Sequence, residues 1–303
     1  MYTVDNFING KSDSTSSKSS KIINPSYGKD IGEVLYASKE SANTAINAAS
    51  EAFKTWSKTG MSYRAELILK FRQGVIDKSS EIVDICIKEA GKTKPDAEAE
   101  LDRAIQALTH ASGIQHFYPA HISRNVAGNI DIADMRYPIG VVAGVGPFNF
   151  PILIPILHSS MALVTGNTHI AKPSEKVPSI SRLYADIYKD VGLPDGCYNV
   201  INGGKDIVEY IVSHQKVDGL AFIGSTNAAR SLKALGVKSN TKVQALGGGK
   251  NHMIVLPDAD LDMAADAAVS ASFGAAGQRC MAVSVVVAVG DIADDLVVKI
   301  KEL

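Results

Sequence analysis

Between residues 40 and 58 the apolar side chains Ala42, Ala45, Ile46, Ala49, Phe53 and Trp56 recur at steps of three and four, which lines them along one face of a helix. The same spacing predicts a helix over 64–79 with Leu67, Ile68, Phe71 and Val75. Another follows over 80–90 with Ile82, Val83, Ile85, Cys86 and Ile87, stopped by Gly91, and a further long one lies around 97–111. Cys86 on that apolar face reads as a core thiol. The polar, serine-rich stretch 12–20 reads as a surface loop.

After residue 135 short apolar runs alternate with helical intervals. Strands are predicted over 140–145, 168–171, 198–201, 219–223 and 253–256, separated by helices over 151–164, 179–191, 205–213 and 227–235. Strand–helix–strand alternation implies an α/β fold with a right-handed, Rossmann-like parallel sheet, in which ligands bind beyond the carboxyl ends of the strands.

Composition narrows the function. The chain has 303 residues, 46% hydrophobic and 21% charged, with 31 Lys+Arg against 32 Asp+Glu. That balance, without charge runs, leaves no basic footprint for nucleic acid. Cys86, Cys197 and Cys280 are too few and too widely spaced for a disulfide framework or a Cys-x-x-Cys metal site. The seven histidines form no His-x-x-x-His pair. Residues 137–171 carry no charge, but Pro138, Pro147, Pro151 and Pro155 break the run, so it reads as a buried strand, turn and helix and not a membrane span. No basic, apolar leader is visible at residues 1–10, and the expected location is cytoplasmic.

Three turns fall where such a sheet presents a cofactor: Gly146-Pro147-Phe148-Asn149-Phe150-Pro151, Lys172-Pro173-Ser174-Glu175 and Gly224-Ser225-Thr226. Gly224 lets the backbone come close, and Ser225 with a helix N-terminus offers donors to a pyrophosphate. Lys172 and Glu175 combine a cation with a carboxylate of the kind that accepts ribose hydroxyls. Each turn alone reads equally as an ordinary turn or helix start. Cys280 follows the small-residue run Gly274-Ala275-Ala276-Gly277, which leaves room at the sulfur, and Arg279 sets a cation beside a thiolate nucleophile. A buried structural cysteine is the alternative reading.

Pro147-Phe148-Asn149-Phe150-Pro151, Lys172-Pro173-Ser174-Glu175, Phe222-Ile223-Gly224-Ser225, Gly247-Gly248-Gly249-Lys250 and Gly277-Gln278-Arg279-Cys280, in that order, resemble the NAD(P)-dependent aldehyde dehydrogenase superfamily. Arg136-Tyr137-Pro138, Lys250-Asn251-His252 and Gly277-Gln278-Arg279-Cys280-Met281-Ala282 look most like its CoA-acylating methylmalonate-semialdehyde dehydrogenases. The resemblance implies that Cys280 is the nucleophile and that Asn149 and the Cys280 N–H form the oxyanion hole. It places Phe148, Lys172, Glu175, Gly224 and Ser225 at NAD, with Lys172 and Glu175 at the adenine ribose and Ser225 at the pyrophosphate. Coenzyme A is the implied co-substrate and a small semialdehyde acid the substrate, its carboxylate held by Arg279 and Arg103. An exposed, solvated Arg103 is the alternative.

In the superfamily that this chain resembles, hydrolytic members carry a glutamate, the general base for the deacylating water, four residues before the lysine of the Gly-Gly-Lys element, where Leu246 stands here. Loss of that general base slows water attack by roughly 10²–10⁴-fold. Leu246 therefore favours transfer of the acyl group to CoA. A hydrolytic semialdehyde dehydrogenase and an inactive nucleotide-binding remnant are the rival readings. A glycine usual in the family after Gly224 is Ala229 here, an added methyl at a helix–strand contact.

The implied organisation is an NAD-binding domain over 1–119 and 138–246, interrupted by an oligomerisation hairpin over 120–137, and a catalytic domain over 247–303. Family members continue far beyond the nucleophile, whereas this chain stops at Leu303. The expectation is thus a C-terminally truncated or split reading frame, with weak or absent activity, an incomplete sheet after Val283, and a homo-oligomeric state carried over from full-length relatives only.

Overall fold

The structure is a computed structural model describing residues 1–16, 18–118 and 120–303. Ser17, within the polar 12–20 stretch, and Pro119, the expected domain limit, lie outside the described residues. Two units are distinguished, Met1–Leu246 and Gly247–Leu303.

The first unit begins with β1 (Tyr2–Val4), β2 (Asn6–Ile8), β3 (Lys11–Asp13), β4 (Ser19–Asn24) and β5 (Lys29–Leu35). β5 is the middle of a small sheet, parallel to β1 and antiparallel to β4. The 12–20 stretch is therefore not all loop, because its two ends are drawn into β3 and β4. Helices α1 (Lys39–Trp56), α2 (Met61–Asp77), α3 (Ser79–Ala90), α4 (Lys94–Ser112) and α5 (Ile114–Phe117) follow. Ser38 and Thr93 accept from backbone N–H groups of Ser41 and Asp96, capping α1 and α4. β6 (His121–Ser123) and β7 (Ile132–Asp134) form an antiparallel hairpin with every residue exposed.

The remainder of the unit alternates as β8 (Val141–Val145), α6 (Leu153–Val164), β9 (Thr168–Lys172), α7 (Ser179–Asp190), β10 (Tyr198–Val200), α8 (Lys205–Ser213), β11 (Gly219–Ile223), α9 (Thr226–Ser239) and β12 (Lys242–Leu246). These strands lie in the order β12-β11-β8-β9-β10 and all are parallel; β2 and β3 extend the sheet antiparallel beyond β10. From β8 the chain winds to β9 and β10 on one side, then crosses to β11 on the other. That reversal makes the carboxyl end of β8 the switch point of the sheet. β12 is an unforeseen member. As an edge strand it alternates exposed and half-buried positions, so it shows no continuous apolar run.

Neighbouring positions on β9 point to opposite faces: Ile170 joins a core with Ile46, Val141, Leu220 and Phe222, and Ala171 one with Phe71, Leu108, Ile156 and Tyr184. Trp56 donates to the Leu163 carbonyl at 3.1 Å, and Thr168 to that of Ala49 at 3.0 Å, fixing α1 against α6 and β9. Ala229 is buried in the first of these cores, which accommodates its methyl.

The second unit holds β13 (Asn251–Val255), α10 (Leu261–Phe273), β14 (Val283–Ala288) and α11 (Ala293–Glu302). β13 pairs in parallel with β14, correcting the expectation that 253–256 belongs to the main sheet. A local pattern identifies a strand without naming its partner. Val255, Ala264, Ala265 and Leu296 form this unit's core, while Ile254 and Val287, paired across the strands, are 66% and 40% exposed.

Candidate active site

The three turns expected at a cofactor all follow parallel strands, after β8, β9 and β11. Gly146 N–H donates to the Lys172 carbonyl at 3.1 Å, tying the first turn to the second. Gly224 N–H donates to the Leu246 carbonyl at 3.1 Å, tying the third to the end of β12. A Cβ on Gly224 would lie 2.5 Å from the Phe222 ring, so a side chain there would require the ring or the turn to move. Ser225 is the N-cap of α9, its hydroxyl oxygen accepting from Ala228 N–H at 3.3 Å. Its own proton remains available for donation outward, beside the positive end of a 14-residue helix.

Lys172 ends β9 and is buried, its ammonium 3.5 Å from the half-exposed carboxylate of Glu175. Burial lowers the ammonium's pKa, and Glu175 opposes that shift. The pair holds one cation and one outward-facing acceptor at a fixed spacing, which suits a ribose. Phe148 is partly buried with the Lys176 ammonium 4.8 Å above its ring, a contact not read from the sequence. With the capped helix end and the glycine turn, these groups suit a dinucleotide along the switch-point edge of the sheet.

Asn149 precedes Pro151 in the turn after β8. Beyond that proline, Ile152 and Leu153 N–H both donate to Glu100 of α4, at 2.8 and 2.9 Å. The other carboxylate oxygen is 2.5 Å from the Lys92 ammonium, which lies 4.2 Å from the Phe150 ring centroid. Lys92 and Glu100 carry no signal in the sequence, where charges on separate segments look solvated. Arg103, one helical turn further along α4, is exposed and donates to Gln106 at 3.0 Å.

In the second unit Cys280 is exposed, whereas Cys86 and Cys197 are buried and burial pushes both of those thiols up to about 12. Cys280 is thus the accessible thiol among the described residues. Its turn follows an unusual backbone: Ala275, Ala276 and Gly277 have φ of 51°, 55° and 71°, left-handed throughout, which costs each alanine about 1–2 kcal/mol. Asn251 at the start of β13 donates to the carbonyls of Cys280 and Ala282, both at 2.9 Å, and so anchors the far side of the turn. Arg279 packs its guanidinium over Gly274, where a Cβ would come within 2.6 Å. Among the described residues no group of three or more His, Cys, Asp or Glu could hold a metal, and no helix is long and apolar enough to cross a membrane.

A family model for the aldehyde dehydrogenase family matches residues 12–303. The chain belongs to the aldehyde dehydrogenase family. It is 40% identical over 301 residues to malonate-semialdehyde dehydrogenase 3 of Geobacillus kaustophilus (strain HTA426), covering 99% of this chain and 62% of that relative. The crystal structure of methylmalonate-semialdehyde dehydrogenase from Oceanimonas doudoroffii superposes with a TM-score of 0.96 at 39% identity, over 100% of this chain and 62% of the other. A protein described as a methylmalonate-semialdehyde dehydrogenase from Sinorhizobium meliloti 1021, complexed with NAD, gives 0.96 at 38%, again over 100% and 62%. This family member therefore spans under two thirds of the length of the relatives it matches.

Proposed function

We propose that the chain oxidises a small semialdehyde acid of the malonate or methylmalonate type with NAD and passes the acyl group to coenzyme A through a thioester on Cys280. The observation that carries this reading is the grouping of the Phe148–Asn149 turn, the Lys172–Glu175 pair and the Ser225-capped helix at the switch-point edge of a parallel sheet, in a chain whose accessible thiol follows the left-handed segment 275–277. The names of its relatives support the substrate class.

The nucleotide would be held by Lys172 and Glu175 at a ribose, by Ser225 and the α9 N-terminus at the pyrophosphate, and beside Phe148 and Gly224. When bound, NAD supplies the hydride acceptor. Cys280 attacks the aldehyde carbon as thiolate, forming a C–S bond and moving a carbonyl electron pair onto oxygen. Asn149 and the Cys280 N–H donate to that oxygen, a contribution of roughly 3 kcal/mol per donor. Arg279 receives the substrate carboxylate, and Arg103 is the second cation proposed for it. Departure of the hydride restores the C=O bond and leaves a thioester on Cys280.

Leu246 then decides the fate of the acyl group. Ending β12 and 50% exposed, it offers no proton acceptor to a water molecule. A CoA thiol, already a few per cent ionised at neutral pH, needs less help. Its sulfur attacks the thioester carbon and the Cys280 thiolate leaves. Steady-state NADH formation from malonate semialdehyde with and without CoA tests the reading: turnover that requires CoA supports it, and full-rate turnover without CoA supports the hydrolytic alternative.

A further inference from the structure

We propose that the buried Lys92–Glu100 pair is a positioning clamp for the Asn149 turn, capping α6 from a neighbouring helix and holding the oxyanion donor in place. This rests on the role given to Asn149 under the proposed function.

Pro151 has no N–H. The next two N–H groups, on Ile152 and Leu153, open α6, and no side chain of α6 or its N-cap accepts from them. An uncapped first turn would let the segment before it fray. Glu100 supplies the missing cap from α4: Oε1 accepts from Ile152 at 2.8 Å and from Leu153 at 2.9 Å. The carbonyl of Ile152 is held from the other side by the Tyr184 hydroxyl at 3.1 Å. One peptide unit is thus fixed at both its donor and its acceptor, three residues from Asn149.

A carboxylate in this position needs a counter-charge, since the Glu100 side chain is 1% exposed. Lys92, 7% exposed, supplies it at 2.5 Å, and its ammonium lies 4.2 Å from the ring of Phe150, the residue next to Asn149. Burial raises the Glu100 carboxyl's pKa, and Lys92 with the two backbone N–H groups opposes that shift. The clamp therefore grips both sides of Pro151: Phe150 through Lys92, and Ile152 and Leu153 through Glu100. A buried ion pair of this kind adds little stability over an apolar replacement. Its distinctive property is geometric, and an oxyanion donor must be held to a fraction of an ångström.

That difference gives the test. Lys92→Met with Glu100→Leu replaces the pair by apolar groups and removes the acceptor; Lys92→Met with Glu100→Gln removes both charges and keeps an acceptor oxygen. Amide hydrogen exchange is followed over residues 149–153, with the rate of the first NADH turnover on mixing with NAD and malonate semialdehyde. The Leu double variant is expected to fold, to exchange at 152–153 at least tenfold faster, and to lose about 10²-fold in first-turnover rate with NAD affinity within twofold. The Gln double variant is expected to stay close to the unsubstituted protein in both. Unchanged exchange and an unchanged first-turnover rate in the Leu variant would overturn the clamp. If the unsubstituted chain shows no first turnover, the proposed function falls, and exchange alone decides the clamp: acceleration in the Leu variant upholds it and no acceleration removes it.

Discussion

Lys172 and Glu175 form an ion pair of 3.5 Å across the turn after β9, with the cation buried and the carboxylate half in solvent. Burial works against the ammonium and Glu175 opposes that shift, while its half-exposed carboxylate is the acceptor that the proposed function puts at a ribose. Glu175→Gln should weaken NAD binding by roughly 10–100-fold, the cost of about 1.5–3 kcal/mol for a lost charged hydrogen bond. NADP should lose less than NAD, because the substitution also removes a like charge from the 2′-phosphate. Titration calorimetry with both nucleotides checks this; parallel losses would remove Glu175 from the ribose.

Leu246→Glu places a carboxylate at the exposed end of β12, so the fold should tolerate it. CoA-independent NADH formation should rise by up to about 10²–10⁴-fold, the range of a general base. Unchanged CoA-free turnover in a well-folded variant would show that the acyl group's fate is decided elsewhere.

Gly144→Ala should destabilise the first unit by about 1–3 kcal/mol, as an overpacked core does. The new Cβ would fall 2.8 Å from both the His158 side chain and the His169 ring, which flank Gly144 from α6 and β9. Urea denaturation measures the loss, and an unchanged midpoint would mean that the helix shifts freely off the sheet.

Those two histidines also give the fold a pH limit. Burial pushes His169 down to about 3 and His158 to about 4, and both ring nitrogens of His169 lack a hydrogen-bond partner. Each has a folded pKa below its unfolded value, so below about pH 6.5 the unfolded chain binds protons that the folded chain refuses. Stability is fully present above that pH and is lost as pH falls toward the folded values, by at most about 1.4 kcal/mol per unit for each histidine. Denaturation midpoints measured from pH 7.5 to 5 should fall, and His169→Phe should flatten the slope. An equal slope in the variant would assign the proton uptake to other groups.

Much of this architecture is legible in the sequence because burial leaves periodic traces. Ala42, Ala45, Ile46, Ala49 and Trp56 all lie on the buried face of α1, and the apolar runs at 140–145 and 168–171 are β8 and β9. The three turns expected at a cofactor follow their strands as the βαβ pattern requires. What escapes the sequence is decided by partners far along the chain. β12 hides because an edge strand is only half-buried, and the pairing of β13 with β14 rests on a neighbour some thirty residues away. The Lys92–Glu100 pair hides because charge alone says nothing of burial. Arg103 lies exposed on α4 and donates to Gln106.

Under the proposed function the acyl group stays on the Cys280 sulfur when CoA is absent, and mass spectrometry of the peptide containing Cys280 reads this directly. After incubation with NAD and malonate semialdehyde, that peptide should carry an acyl adduct with one NADH formed per chain, and added CoA should discharge it. Continuous NADH formation without CoA and without an adduct, or an adduct confined to another residue, would contradict it.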